Sequence, residues 1–522
     1  MINEIQLKHY KAFEDVKLPL RPITILLGAN SVGKSALIQM LLMLQQTGKE
    51  GLKSYKSALK LYGGDINLGD PQNIFRKKDV SKPLGISFSI KSKIIKEELS
   101  KTLHQRYIST FQDLPMYYPL SSFQDVRGKE IESEKIFLMY LDAMEQFYSR
   151  EVQERFKRDV RGFLRHRSIV NLTNINKGNK KQYFEVYEFL DSLTKKIKTE
   201  SFQINYQISY IDNTLQTTFI SIYHAGIKLF EISNNPDTIS VSSDLIHFTS
   251  VEVSQINNIY ITENTIFNTF SELELNPEYS PKVQIIYKLI NLFQEHLKDE
   301  FSSRKINYVS PLRAHPKRYY MLDKAKMNIS IDTLDGDAVA EVLKDKADIK
   351  KKVNVWLKRF DLSVDVEEFK EVIHHLTVKQ NNLDLDITDV GFGISQILPV
   401  IIQGFLSPQN STTIIEQPEI HLHPKMQADL ADLFIDIIKT TSEKKLLIET
   451  HSEYILKRLR RRISEGKISP NKVAICLIDP QTKKNGAIVK QLEIEENGFF
   501  EWPIDFYGGE LYNDISEYLK NQ

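Results

Sequence analysis

The stretch "ITILLGANSVGKSALIQMLLML", residues 23–44, sets the frame for the whole chain. Ile23 to Leu27, four apolar residues and Thr24, read as a buried central strand. The segment "GANSVGKS", residues 28–35, then fits G-x-x-x-x-G-K-[ST] in full and opens an apolar helix. Gly28 and Gly33 let the backbone wrap with its N–H groups facing inward, and the helix N-terminus favours an anion. Lys34 is placed to reach the β- and γ-phosphates of a nucleoside triphosphate, and Ser35 to ligate Mg²⁺. A triphosphate site also needs a carboxylate on a neighbouring strand. "TTIIE", residues 412–416, supplies Glu416 for the Mg²⁺. The next residue, Gln417, stands where many such sites carry the glutamate that activates water, and an amide cannot act as a general base.

Working outward, the rhythm of strand and helix recurs only in part. Residues 1–91 read as strand-rich with one helix. Residues 92–300 are rich in Lys, Tyr, Phe and Asn, with helical patterns first and alternating strands such as "SFQINYQISYI" after them. They read as a mixed α+β insertion or lid domain without nameable chemistry. From 301 to 522 an α/β rhythm returns: "INYVSPLR", "GFGISQILPVIIQGFL", "TTIIE", "PKMQADLADLFIDIIK", "KKLLIET", "SEYILKRLRRRI" and "KVAICLI". Strands alternating with helices imply an α/β fold with a mostly parallel sheet covered on both faces.

Bulk composition narrows the classes. The 522 residues are 41% hydrophobic and 26% charged, ordinary for a globular chain of two or three domains. Net charge is +1, so any nucleic-acid contact must come from a local patch. "LKRLRRRI", residues 456–463, is the candidate patch, and a solvated helix end is its plain alternative. The single cysteine, Cys476, excludes a disulfide framework and fits a reducing cytosol. The longest apolar window is too short to span a bilayer and no signal peptide is evident, so a cytoplasmic location without membrane contact is expected.

Further polar residues fall at the ends of strands. "ETHS", residues 449–452, places His451 at the edge of a parallel sheet where ligands bind. Glu419 follows Glu416 by three residues and precedes "HLHP". A zinc reading of Glu419, His421 and His423 is weak, because H-x-H lacks a further ligand nearby.

Together "KHYKAF" (8–13), the phosphate loop, "DVGFGISQ" (389–396), "IIEQPEIHLHP" and "ETHS" resemble the ABC-class ATPase heads of the SMC, RecF and OLD group. With "FFEWPIDFYGG" (499–509), they look closest to the ATPase subunits of Septu and retron-type anti-phage systems. The resemblance covers roughly 1–80 and 301–510, and implies an ABC-type P-loop ATPase head interrupted by the insertion domain. It implies ATP and Mg²⁺ as cofactors. Lys11, Gly28, Asn30, Gly33, Lys34 and Ser35 then hold nucleotide. Gly393 matches the signature glycine, Gly391 falls at the usual signature serine, and Ser395 is the nearest hydroxyl. Gln72 is the candidate for the loop glutamine that contacts metal. His421–His423 match the loop at the dimer seam, and His451 matches the switch histidine. With Gln417 in the glutamate's place, Glu419 or a water positioned by His451 is left to support slow hydrolysis. The resemblance further implies a homodimer or higher oligomer through ATP-sandwiched heads, and a separate, HNH-like effector nuclease. No D-x-D with an upstream glutamate follows His451, so the nuclease is expected on another chain. The alternative is a RecF- or SMC-like head acting on DNA. Arg313 and Arg318 are expected in structural or dimer contacts.

Overall fold

The computed structural model describes residues 1–49, 56–117, 121–149, 169–172, 175–235, 238–271, 279–321, 336–370, 373–380, 383–440, 443–480 and 486–502. Pro503 and the tail to 522 lie outside these residues. The chain divides into two compact units. One comprises residues 1–2, 50–60 and 79–298, and the other 3–49, 61–78 and 299–522.

The second unit carries every candidate site residue. Its main sheet has six strands in the order Ile488–Leu492, Val473–Asp479, Ile23–Leu27, Lys445–Glu449, Thr412–Glu416, Ile306–Val309. Each neighbouring pair is parallel except Val473–Asp479 with Ile488–Leu492. All five residues of Ile23–Leu27, Thr412–Glu416 and Lys445–Glu449 are buried, as strands covered on both faces must be. The phosphate-loop strand therefore sits between the strand ending in Glu449 and the strand running through Cys476. Burial pushes the Cys476 thiol up to about 12, which makes it inert core.

The helices on this sheet follow from their apolar stripes. Lys34–Gly48 buries Leu37, Ile38, Leu41 and Leu44. Phe392–Leu406 buries all of Ile394 and Gln396–Gly404, Pro399 included. Glu453–Ser464 buries Ile455, Leu456, Leu459 and Ile463, at the i, i+1, i+4, i+8 spacing of one helix face. Ser452 caps that helix by accepting from the Ile455 N–H at 3.4 Å.

A second, antiparallel sheet in this unit is absent from the sequence reading. Leu362–Lys370, Ile373–Gln380 and Leu383–Asp386 form a meander, joined by Tyr320–Met321. The "mostly parallel" expectation holds for the main sheet alone. Leu362, Val364 and Val366 alternate with polar residues, and the alternation ends at Glu368–Lys370, where the strand is exposed and its register shifts.

The first unit contains an antiparallel run of Leu84–Lys91, Ser201–Ile211, Thr214–His224, Ile227–Asn235 and Thr238–Ser242. Asp212 and Asn213 turn one hairpin with φ of 48° and 63°, the two positive values that match strand twist. Its helices meet in an aromatic cluster in which Phe137 and Tyr187 stack at 4.4 Å. Lys282, 3% exposed, lies 2.8 Å from Glu185 and 3.0 Å from Glu252, so its buried charge is paired twice.

Candidate nucleotide site

The phosphate loop is shaped by close approaches that only glycine permits. A Cβ on Gly28, at φ +143°, would lie 2.5 Å from the Ile478 carbonyl oxygen. At Gly33, φ +116°, it would lie 2.9 Å from the Phe13 ring. Gly33 caps the helix that begins at Lys34. Ser35 is exposed at the helix start, and Asn30 is exposed on the loop.

Lys34 is buried, and its Nζ donates to the carbonyls of Gly28 (3.0 Å) and Ala29 (2.8 Å). Its Nζ lies 3.8 Å from Glu449 Oε1. Burial lowers the Lys34 pKa, while Glu449, Glu416 and Glu419 oppose that shift. Glu449 is the carboxylate within ion-pair distance, and Glu416 and Glu419 add negative charge around the same ammonium.

Each is held differently. Glu416 Oε1 accepts from the Tyr308 hydroxyl at 2.6 Å. Glu419 Oε1 accepts from the His451 backbone N–H at 2.7 Å, and its Oε2 is buried without a partner. Burial raises the Glu419 pKa against that hydrogen bond. Burial and the adjacent Glu416 raise Glu449 to about 7. His451 is exposed as a residue, yet burial of its ring lowers its pKa and leaves it neutral at pH 7.

Gln417 follows Glu416 in the left-handed region at φ 44°, a conformation that costs a non-glycine residue. Its N–H donates to the Glu449 carbonyl at 2.8 Å. Arg313 braces the same turn: Nη2 donates to the Glu416 carbonyl at 2.8 Å and the Gln417 carbonyl at 3.4 Å. Burial lowers the Arg313 pKa to about 10.

Other predicted residues stand apart. Lys11 Nζ donates to Gln39 Oε1 at 2.5 Å, which ties it to the phosphate-loop helix. Gln72 is exposed in the short turn Pro71–Ile74, and among the described contacts none links it to Ser35 or Glu416. Gly391 precedes the helix Phe392–Leu406 in open space. Ser395 turns its hydroxyl back to the Phe392 carbonyl at 2.8 Å. A Cβ on Gly393 would lie 2.7 Å from the His421 carbonyl, so this helix packs on the turn after Gln417 within the same chain. His421 and His423 are exposed, and among the described residues no three His, Cys, Asp or Glu are grouped to hold a metal ion.

The sequence reading quoted "ETHS" for its histidine and passed over Glu449. The signal was present: "TTIIE" and "KLLIE" are both five-residue buried strands closing on a glutamate. Arg313 was placed in structural contacts without its partner, the turn at Glu416 and Gln417. Arg318 lies 3.5 Å from Asp389.

The candidate DNA patch is largely neutralised within the unit. Arg458 pairs with Asp429 (2.6 Å) and Asp432 (2.7 Å), and Arg462 with Asp432 and Glu465. Lys457 meets Glu453 at 2.6 Å and Arg461 meets Glu465 at 2.7 Å. Arg460 stacks over Phe499, Phe500 and Trp502 at 5.2–5.6 Å, so Trp502 packs onto this helix. No helix among the described residues is long and apolar enough to cross a membrane.

Among solved structures, the SMC head domain from Thermotoga maritima is similar at 6% identity, over 94% of this chain and 99% of that chain, with a TM-score of 0.36. An SMC head bound to the C-winged helix domain of ScpA is similar at 9%, over 95% and 99%, with 0.38. An SMC head with an extended coiled coil, bound to the C-terminal domain of ScpA from Pyrococcus furiosus, is similar at 10%, over 99% of each chain, with 0.34. No curated protein matches the chain. The family model described as "AAA ATPase domain" matches residues 1–456, and it is this match, over most of the chain and across the phosphate loop and both glutamate-ending strands, that shows the family. The chain belongs to the AAA ATPase domain family.

Proposed function

We propose that the protein is a slow, dimerising ATP switch that controls a separate effector protein. The observation that carries this reading is a complete phosphate loop whose Lys34 lies 3.8 Å from Glu449, with Glu416 in register beside Glu449 and Gln417 following it where such sites usually carry the base. The residues fit ATP with Mg²⁺. The loop N–H groups and Lys34 bind the phosphates, and exposed Ser35 with Glu416 would hold the cation, which when bound neutralises charge on the transferring phosphoryl group. Glu419 is the base in this reading. Its pKa is raised by burial, its Oε2 is unengaged, and the His451 N–H fixes its other oxygen. The Gln417 N–H bond to the Glu449 carbonyl and the Arg313 Nη2 bonds to the Glu416 and Gln417 carbonyls brace the turn after Glu416. Lys11 and Asn30 complete the nucleotide side. Gly391, Gly393 and Ser395 offer a helix N-terminus to a nucleotide on the partner head of a homodimer or larger ring.

The effector, carried from the sequence resemblance, is an HNH-like nuclease restrained in anti-phage defence. The alternative, a RecF- or SMC-like head acting on DNA, has weaker support, because the arginine helix spends its cations on Asp429, Asp432, Glu453 and Glu465.

Single-turnover hydrolysis of labelled ATP tests the assignment, with wild type compared with Lys34→Ala, Gln417→Glu and Glu419→Ala. Turnover in wild type, lost in Lys34→Ala and Glu419→Ala by about 10²-fold or more, is the expected outcome. ATP binding without turnover, restored by Gln417→Glu, would instead make Gln417 a brake and remove Glu419 from the chemistry.

A further inference from the structure

Two neighbouring parallel strands end on glutamates in register, Glu416 opposite Glu449. In-register residues of parallel strands point to the same face of the sheet. Both carboxylates therefore face the same end of the site, beside Lys34. Glu416 Oε1 is engaged by the Tyr308 hydroxyl. Glu449 is only 3% exposed, and its Oε2 is buried with no hydrogen-bond partner. A buried carboxylate oxygen without a donor is costly unless a ligand satisfies it.

The cation nearest to Glu449 in the described structure is Lys34, at 3.8 Å. That ammonium has a second task in the nucleotide site read above, on which this inference rests. Once Lys34 turns to phosphate, Glu416 and Glu449 stand side by side without a counter-charge. Two adjacent buried carboxylates do not both stay ionised unless a cation joins them.

We propose that Glu449 is a second carboxylate ligand, directly or through water, of the divalent cation that accompanies the nucleotide. Mg²⁺ is held by one or two carboxylates completed by water and substrate phosphates rather than by an all-protein cage. This agrees with the lack, among the described residues, of any three-ligand group able to hold a metal alone. Glu419 is kept for the base: it is not among the carboxylates within ion-pair distance of Lys34, and its free Oε2 is the oxygen the proposed hydrolysis needs. The assignment replaces Gln72, which is exposed and linked by no described contact to Glu416.

Mn²⁺ is the probe. Its binding to the full chain saturated with ADP is followed by electron paramagnetic resonance, for wild type, Glu416→Gln, Glu449→Gln and Lys34→Ala. ADP binding in EDTA is measured in parallel by calorimetry. Glu449→Gln is expected to weaken Mn²⁺ binding about tenfold or more, as Glu416→Gln does, while ADP binding in EDTA does not fall. Mn²⁺ binding by Glu449→Gln within about twofold of wild type, beside a loss in Glu416→Gln, overturns the proposal and leaves Glu449 as the counter-ion of Lys34 alone. A fall in ADP binding by Glu449→Gln in EDTA also overturns it, since the residue then acts through the loop. Wild type that binds no ADP, or binds it no better than Lys34→Ala, removes the nucleotide reading itself, and the proposal falls with it.

Discussion

Single residues at the margins of the sheet carry charge at a cost, and that cost is measurable. Lys444 is 3% exposed, and its ammonium donates to the Gly404 and Phe405 carbonyls at 3.1 and 3.2 Å. Burial, with a smaller contribution from Lys352, lowers its pKa to about 8. The unfolded chain keeps this proton up to the ordinary lysine range near 10.5. Between pH 8 and 10.5 the unfolded state therefore binds more protons than the folded one, and this group makes stability rise with pH. Lys444→Met should flatten that rise in the thermal midpoint across the same window. An unchanged slope would mean that the buried ammonium is solvated in solution. At this scale Lys34, Ser35 and Glu416 were legible from the phosphate loop and from the strand "TTIIE", and Glu449 was not, because its proposed role rests on which strand lies beside it.

At the scale of elements, the two glycines of "DVGFGISQ" separate packing from ligand contact. Gly393 meets the His421 carbonyl so closely that a methyl group would force the helix Phe392–Leu406 away from the turn after Gln417. Gly391, at φ −50°, faces open space. Gly393→Ala should therefore destabilise the protein by about 1–3 kcal/mol. Gly391→Ala should stay within about 0.5 kcal/mol of wild type. Chemical denaturation of the two variants checks this, and equal effects would remove the packing argument. The main-sheet strands and their helices were legible because short, mostly aliphatic runs and stripes at helical spacing signal burial directly. The meander of Leu362–Lys370, Ile373–Gln380 and Leu383–Asp386 was passed over although "LSVDVE" and "LDLD" alternate, because the pattern fails at Glu368–Lys370, where the register shifts.

For the whole molecule, the proposed head-to-head assembly predicts that the nucleotide drives association. Sedimentation velocity with a slowly hydrolysed ATP analogue and Mg²⁺ should show a species of twice the chain mass or larger, absent without nucleotide and absent in Lys34→Ala. A mass independent of nucleotide would sink the ATP-sandwich model. The same scale decides the arginine helix. Five cations in eight residues offer a nucleic-acid patch or a solvated helix end, and four of them meet Asp429, Asp432, Glu453 or Glu465, while Arg460 stacks over Phe499, Phe500 and Trp502.

The sequence by itself determined that this chain holds a P-loop ATPase core, because the phosphate loop, its strand and its helix are contiguous and their physics is local. It also showed Gln417 directly after Glu416, the adjacency on which the proposed slow turnover rests. Only the tertiary structure decided that Glu449 stands beside Glu416 and Lys34, that Arg313 braces the Gln417 turn, and that Arg458 and Arg462 pair with Asp429 and Asp432. These depend on strand order and on side chains some 25 to more than 400 positions apart, such as Lys34 and Glu449, whose proximity no local pattern encodes.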